Sequence, residues 1–327
     1  FGGGLLGLGV LAPMPGSHAS YVEWVRQLPS DQRPEVFGLH SNAEIYKDER
    51  DAELFLETVL LTQPRSQGEG AEGSQAVVEL GGDVLGRLPP DFDVQACMKK
   101  WPLRYEESMN TVLLQEMSRY NRLLAVVRSS LQDVLKAIQG LIVMSPQLEG
   151  VYQAAYDGKL PDLWRAQSYP SRKPIGAYVA DLLERLQFLQ KWYDHGAPAV
   201  FWLPGFFFTH SFLTGVLQNY ARRHRVEIDK LKWKFLIQDD RRPTLAPSDG
   251  CYVDGLFLEG AAFDAEQHML VEALPKEMHQ PFPILWLKPT ADVEAEGDHL
   301  YACPLYKTSE RKGQLLTTGH STNFVMP

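Results

Sequence analysis

The residues Gly319-His320-Ser321-Thr322-Asn323 begin like the G-x-S-x-G elbow that presents a nucleophilic serine in hydrolases. The second glycine of that elbow allows close backbone packing in a strained turn, and Asn323 occupies its position here. The pattern therefore favours a turn and strand whose hydroxyl groups bond to the backbone over a catalytic Ser321. A serine hydrolase remains the alternative interpretation.

The other acidic side chains and the histidines show no spacing that indicates catalysis or metal binding. Asp239-Asp240 precedes Arg241-Arg242, which is typical of a solvated charge cluster, and Glu106-Glu107 is a second acidic pair. There is no G-x-x-x-x-G-K-[ST] loop, so we expect no nucleotide site of the P-loop type. We predict no catalytic residue, no cofactor-binding residue and no metal ligand. The histidines that lack the spacing of metal ligands are His210, His224, His268 and His279.

The composition is that of a globular protein. Its 327 residues, 44% of them hydrophobic, suffice for two or three packed subdomains. The net charge of −9 argues against nucleic-acid binding, and the apolar run at 201–208 is too short and too interrupted to span a membrane. The sequence opens with Phe1, which indicates a fragment of a larger protein. No zinc or disulfide spacing joins the cysteines, which fits a reducing, cytoplasmic compartment: Cys97, Cys251 and Cys303.

The strongest periodic pattern predicts a long helix over residues 108–144, with Ser108 as its N-cap and Pro146 as its stop. A second apolar seam lies within residues 175–189, which favours packing of helix on helix over a self-contained coiled coil. The first seam consists of Leu113, Met117, Tyr120, Leu124, Val127, Leu131, Val134, Ile138 and Leu141, and the second of Ile175, Val179, Leu182, Leu186 and Leu189.

Other stretches predict shorter elements. Residues 20–28 and 51–61 read as short helices, and residues 65–74 read as a surface loop because they are rich in Gly, Ser, Gln and Glu. After Val226 the pattern changes from helical to alternating, which predicts short strands in a small antiparallel sheet or barrel. The alternating runs are residues 232–237, 251–253, 255–258, 284–287 and 300–306.

An aromatic group lies between the helical and the alternating parts. It could line a ligand pocket or a partner surface, but core packing is the favoured interpretation. We predict that four of its members form the junction between the helical and β parts. They are Trp202, Phe206, Phe207 and Phe208.

Several long runs of residues together resemble the C-terminal region of dynein heavy chains, most closely those of the axonemal type. A further run, residues 34–45, resembles the end of the sixth AAA+ module of the dynein ring, where a small helical lid lies. By this resemblance His40, Asn42 and Ala43 belong to the lid. The runs that carry the resemblance to the C-terminal region are residues 145–149, 201–208, 212–222, 256–261, 304–311 and 317–324.

The resemblance implies an α+β fold: a helical subdomain with a long helix, followed by a small antiparallel β-barrel-like subdomain and preceded by the end of an AAA+ module. Residues 1–64 would be the lid of that module and residues 65–104 a loop and connecting helix. Residues 105–225 would form the helical part and residues 226–327 the barrel-like part. The family continues beyond the Gly-His-Ser-Thr-Asn-Phe segment, so the barrel is expected to lack its closing strand.

The function implied is that of a non-catalytic structural and regulatory domain on the ring of an ATP-driven, minus-end-directed microtubule motor of cilia and flagella. ATP and Mg would bind in ring modules outside this segment, and microtubules would be gripped by other absent parts. The expected partners are the other AAA+ modules of the same heavy chain and the intermediate and light chains, in the cytoskeleton of the axoneme, with no nucleic acid and no membrane. The alternative is a free-standing α+β ligand-binding protein or a serine hydrolase that uses the aromatic pocket near Phe206 and Ser321.

Overall fold

A computed structural model gives the fold, and the protein divides into two compact units. The larger unit comprises residues 65–256 and 282–296, and the smaller comprises residues 1–64, 257–281 and 297–327. The residues that the structure describes are 15–27, 44, 48, 51–52, 54–56, 58–59, 70–171, 173–238, 242–256, 261–274, 282–291, 306–307 and 324–325.

In the smaller unit, helix α1 (His18–Gln27) confirms the helix predicted at residues 20–28. The described residues between 51 and 59 are also helical, as predicted. His40, Asn42 and Ala43, which were predicted to belong to the lid, lie outside the described residues, as do Ser321 and Cys303.

The larger unit begins with a series of helices. They are α2 (Gly70–Arg87), α3 (Val94–Lys100), α4 (Ser108–Ile138), α5 (Pro146–Tyr156), α6 (Asp162–Arg165), α7 (Ile175–His195) and α8 (Thr209–His224). The longest of them, α4, runs for 31 residues and contacts each of the other helices of the series. No described helix is long and apolar enough to cross a membrane.

The apolar seam of α4 is confirmed along most of its length. From Leu113 to Val134 every predicted seam residue is buried, as are all five seam residues of α7. Because α4 and α7 contact each other within this core, helix-on-helix packing is confirmed over the self-contained coiled coil.

The predicted end of α4 was wrong. The helix ends at Ile138, since Gly140 adopts a φ of 75° and the N–H of Leu141 bonds back to the carbonyl of Lys136. A left-handed glycine with this hydrogen bond terminates a helix. Leu141 therefore lies beyond the helix and is 69% exposed, so it does not extend the seam.

The predicted cap of α4 was also wrong. Ser108 is the first helical residue, and Glu107 holds the cap position without a side-chain hydrogen bond. The Ser108 N–H instead donates to Asn219 Oδ1 of α8 over 2.8 Å. In most helices the side chain of the N-cap residue accepts a hydrogen bond from a first-turn backbone N–H. Here a side chain of the neighbouring helix α8 accepts the bond from the Ser108 N–H instead.

The loop predicted at residues 65–74 is helical from Gly70 onward, where α2 begins. Composition was misleading here because Val77 and Val84 lie on one face of α2 and are both buried against the core that includes α4. Tertiary packing of that face outweighs the low helix propensity of the glycines.

Four strands of the larger unit form an open, mixed sheet. They are β1 (Val200–Trp202), β2 (Lys232–Ile237), β3 (Cys251–Asp254) and β6 (Leu285–Thr290), in the spatial order β1-β3-β6-β2. The small antiparallel sheet predicted after Val226 is confirmed, since β6 pairs antiparallel with both β2 and β3, but the barrel was wrong for the described residues, among which no closed barrel forms. β1, which precedes Val226, adds a parallel pair with β3. A parallel pair requires a long crossover connection, and here the polypeptide passes through α8 and β2 before it returns.

The predicted strands of this sheet are confirmed at β2, β3 and β6. Burial alternates along β3 and β6, whereas no residue of β2 is buried. Cys251 and Val253 of β3, with Leu285 and Leu287 of β6, turn toward the same core as the helices. In the smaller unit, β4 (Ala261–Asp264) and β5 (Met269–Glu272) form an antiparallel hairpin, and β7 (Tyr306–Lys307) pairs with β8 (Phe324–Val325). β1, β4 and β5 were not predicted.

Candidate functional site

The aromatic group packs around the segment of residues 202–208, which follows β1. Phe206 is 3% exposed and stacks on Phe212 of α8, with ring centroids 4.4 Å apart. Phe188 and Trp192 of α7 meet the Phe206 ring edge-on at 5.6 Å and 6.0 Å. Core packing, the favoured interpretation, therefore holds for Phe206, which joins α7 to α8.

The other three predicted junction residues reach different surroundings. Trp202 is partly exposed and lies edge-on to Phe188 at 6.1 Å. Phe207 points to the other side of the segment and lies edge-on to Tyr120 of α4 at 5.3 Å. Phe208 is 42% exposed and lies 5.3 Å below the Arg119 guanidinium. Their role as the junction of helical and β parts stays a prediction.

The backbone of this segment is held by side chains of α4 and α7. Tyr120 Oη donates to the carbonyl of Gly205 over 3.0 Å, and Arg185 Nη1 donates to the carbonyl of Phe206 over 3.3 Å. The N–H of Phe207 donates to Glu116 Oε2. Apart from a single 3-10 turn at Leu203–Gly205, this part of the polypeptide lies outside helices and strands after Trp202. Its backbone groups must therefore find other partners, and these side chains supply them. We call Glu116, Tyr120 and Arg185 the backbone clamp.

Gly205 allows the segment to approach α7 this closely. A Cβ at this position would lie 2.6 Å from Phe188 Cδ1 and 2.8 Å from Trp202 Cε3, which is closer than carbon atoms pack. Any other residue would push the segment away from the clamp.

Glu116 is the most unusual member of the clamp because its side chain is fully buried. Burial raises the pKa of its carboxyl, and the Phe207 N–H and the Arg119 guanidinium oppose that shift without cancelling it. Arg119 Nη1 lies 2.5 Å from Glu116 Oε1, so the carboxyl has a cation beside it and a backbone donor above it.

A second buried carboxyl, Asp181 of α7, holds Arg185 in place. It accepts from Arg185 Nε over 2.7 Å, from Lys173 Nζ over 2.6 Å and from Tyr169 Oη over 2.8 Å. Burial by itself would raise the pKa of Asp181, but these three donors outweigh it and lower the pKa. The Arg185 guanidinium also lies 3.8 Å from the Tyr169 ring centroid.

The charged side chains of the clamp are paired within the core. Each buried carboxyl is matched by a cation, and desolvation raises the pKa of Tyr178 to about 12, so this phenol stays protonated at neutral pH. No group of acidic, histidine or cysteine side chains that could hold a metal occurs among the residues that the structure describes.

A depression of about 390 Å³ opens beside α4. It is lined by Leu103, Thr111, Leu114, Gln115, Ser118, Arg119 and Arg122.

Comparison with known proteins decides the family. Residues 49–327 match the family model for the C-terminal domain of dynein heavy chains. The protein belongs to this family. It is 49% identical over 317 residues to dynein axonemal heavy chain 12 of Homo sapiens, covering 96% of this sequence and 10% of that protein. It is 50% identical to dynein axonemal heavy chain 3 of Mus musculus, covering 96% of this sequence and 8% of that protein. It is 46% identical to dynein axonemal heavy chain 1 of Homo sapiens, and the match covers 94% of this sequence and 7% of that protein.

The dynein resemblance in the sequence is therefore confirmed, including the axonemal type of its relatives. The sequence spans a tenth or less of the length of these relatives. Membership of this family favours the dynein interpretation over the alternative of a free-standing ligand-binding protein or serine hydrolase.

The clamp residues Glu116 and Arg185 were not predicted from the sequence. A charged residue on a helix is solvated in most proteins, so Glu116 reads as part of the polar face of α4. One signal was available: Glu116 follows the seam residue Leu113 by three positions and precedes the seam residue Tyr120 by four, which places it on the buried side of the helix. Asp181 and Arg185, at i and i+4 in α7, likewise read as an exposed ion pair.

We expect Glu116→Ala to destabilise the larger unit by about 3 kcal/mol, because it leaves the Phe207 N–H and Arg119 without their buried acceptor. Glu116→Gln keeps an acceptor oxygen and should lose less. Urea unfolding followed by tryptophan fluorescence measures both. Equal losses for the two variants would show that the carboxylate charge, and not the acceptor, matters.

Asp181 makes the stability of this domain depend on pH in the acid range. Its pKa in the folded state lies below the ordinary value of 3.8, so its stabilising effect is present above that pH and is lost as the pH falls through the folded value. We expect the stability difference between the natural protein and Asp181→Asn to be largest at neutral pH and to shrink below pH 3.8. Thermal unfolding at a series of pH values measures it, and a constant difference would contradict the assignment.

Proposed function

We propose that this protein is the C-terminal part of an axonemal dynein heavy chain, an ATP-driven motor that moves toward microtubule minus ends in cilia and flagella. The match of residues 49–327 to the family and the names of the relatives support this proposal. Its location would then be the cytoskeleton of the ciliary or flagellar axoneme.

Within that motor the domain would act as a brace without catalytic activity of its own. The observation that carries this role is the attachment of α4, by the backbone clamp and by its apolar seam, to the other elements of the larger unit. Its 31 residues make a rod of about 46 Å. Helices packed in this way shift as discrete units and not by gradual bending, so the domain could transmit movement between ring modules.

The partners follow from the same proposal. Residues 1–64 would be the end of the sixth AAA+ module, and the domain would contact other AAA+ modules of its own heavy chain. ATP and Mg would bind in those modules. Microtubules, intermediate chains and light chains would be engaged by the assembled motor.

The bracing role predicts that loosening the clamp changes movement but not nucleotide hydrolysis. We expect the parent motor carrying Glu116→Ala to glide microtubules at a velocity altered by about twofold or more, with its ATPase rate retained. Gliding and ATPase assays on the same preparation measure both quantities.

The matched control is Glu79→Ala, which changes an exposed glutamate of α2. It should leave both rates unchanged. Unaltered gliding in both variants would mean that the domain is a passive cap. Loss of ATPase activity with Glu116→Ala alone would mean that the domain is needed for hydrolysis itself, which contradicts a purely mechanical brace.

A further inference from the structure

Two side chains hold the part of the β2–β3 loop that lies next to β3. Trp286 Nε1 donates to the carbonyl of Asp249 over 2.7 Å, and His224 Nε2 lies 2.8 Å from Asp249 Oδ1. In contrast, the backbone of residues 242–247 makes no hydrogen bond within the described part of the protein. A segment without such bonds can be drawn into an extended conformation at little cost.

The sequence from Arg241 to Leu245 has the pattern of a kinase substrate. Arg241-Arg242-Pro243-Thr244-Leu245 places basic residues three and two positions before a threonine and an apolar residue directly after it. Protein kinases select substrates by such charge patterns, and those directed by basic residues bind arginines upstream of the hydroxyl.

The described residues of the pattern are open to a kinase. Thr244 is exposed, and Leu245 is 81% exposed although it is apolar. The Arg242 side chain is 63% exposed, and its pairing with Asp254 at 3.0 Å is of the surface kind that contributes little stability. From these observations we propose that Thr244 is a phosphorylation site for a serine/threonine kinase directed by basic residues.

The reaction is a phosphoryl transfer from Mg-ATP. Thr244 Oγ1 forms the new bond to the γ-phosphorus, the bond from that phosphorus to the bridging oxygen of ADP breaks, and the hydroxyl proton passes to the catalytic base of the kinase. The product carries a charge of about −1.5 to −2 at neutral pH. This phosphate competes with Asp254 for Arg242, since guanidinium groups bind phosphate through paired hydrogen bonds.

The test uses the full parent heavy chain, Mg-ATP labelled at the γ-phosphate and the purified catalytic subunit of the cAMP-dependent kinase. We expect label at Thr244, identified by mass spectrometry of the digested protein. Thr244→Ala should abolish that label and Thr244→Ser should keep it. Arg242→Gln should lower the rate at this site about tenfold or more.

Thr111→Ala is the matched control, because Thr111 is exposed but has no basic residue directly upstream. It should leave the label at residues 242–247 unchanged. Absence of label at Thr244 in the folded protein, when a peptide of residues 238–250 is phosphorylated, would overturn the proposal. An unchanged rate with Arg242→Gln would also overturn it. Thermal unfolding of each variant shows whether its fold is retained.

Discussion

Two buried carboxyl groups set the constraint on which the larger unit depends. Glu116 of α4 and Asp181 of α7 lie in the core, where a charge without partners would be very costly. Each is therefore surrounded by cations and hydrogen-bond donors that must hold fixed positions. Because the Phe207 N–H and Arg185 are among those donors, the same constraint fixes the segment that joins the sheet to α8.

This constraint favours one fixed arrangement of the helices in the larger unit. An apolar core tolerates small shifts of one helix against another, whereas a hydrogen-bonded buried network keeps its partners only in one arrangement. The clamp thus couples α4, α7 and the segment after β1 into one packed unit. Such a unit suits the bracing role that we propose for this domain.

The sequence was a reliable guide wherever one face of an element is apolar and regular. The seams of α4 and α7 and the strands β3 and β6 were predicted because burial follows their periodicity. Prediction failed where residues far apart in the sequence determine the structure. The start of α4 is capped by Asn219 of α8. The parallel partner of β1 is β3, which follows only after α8 and β2. Within the candidate site, aromatic residues were found by their type. Glu116 was missed because its burial depends on a segment ninety-one residues later in the sequence.

The measurement that tests the central claim most directly is hydrogen exchange of the native domain, followed by mass spectrometry on the peptide that contains residues 205–208. If the clamp holds this segment as part of the core, its protected amides should exchange only when α4 unfolds, with the same free energy of opening. Exchange of the Phe207 amide at a much lower free energy than the amides of α4 would show that the segment opens separately, and the clamp would then not be what unites the domain.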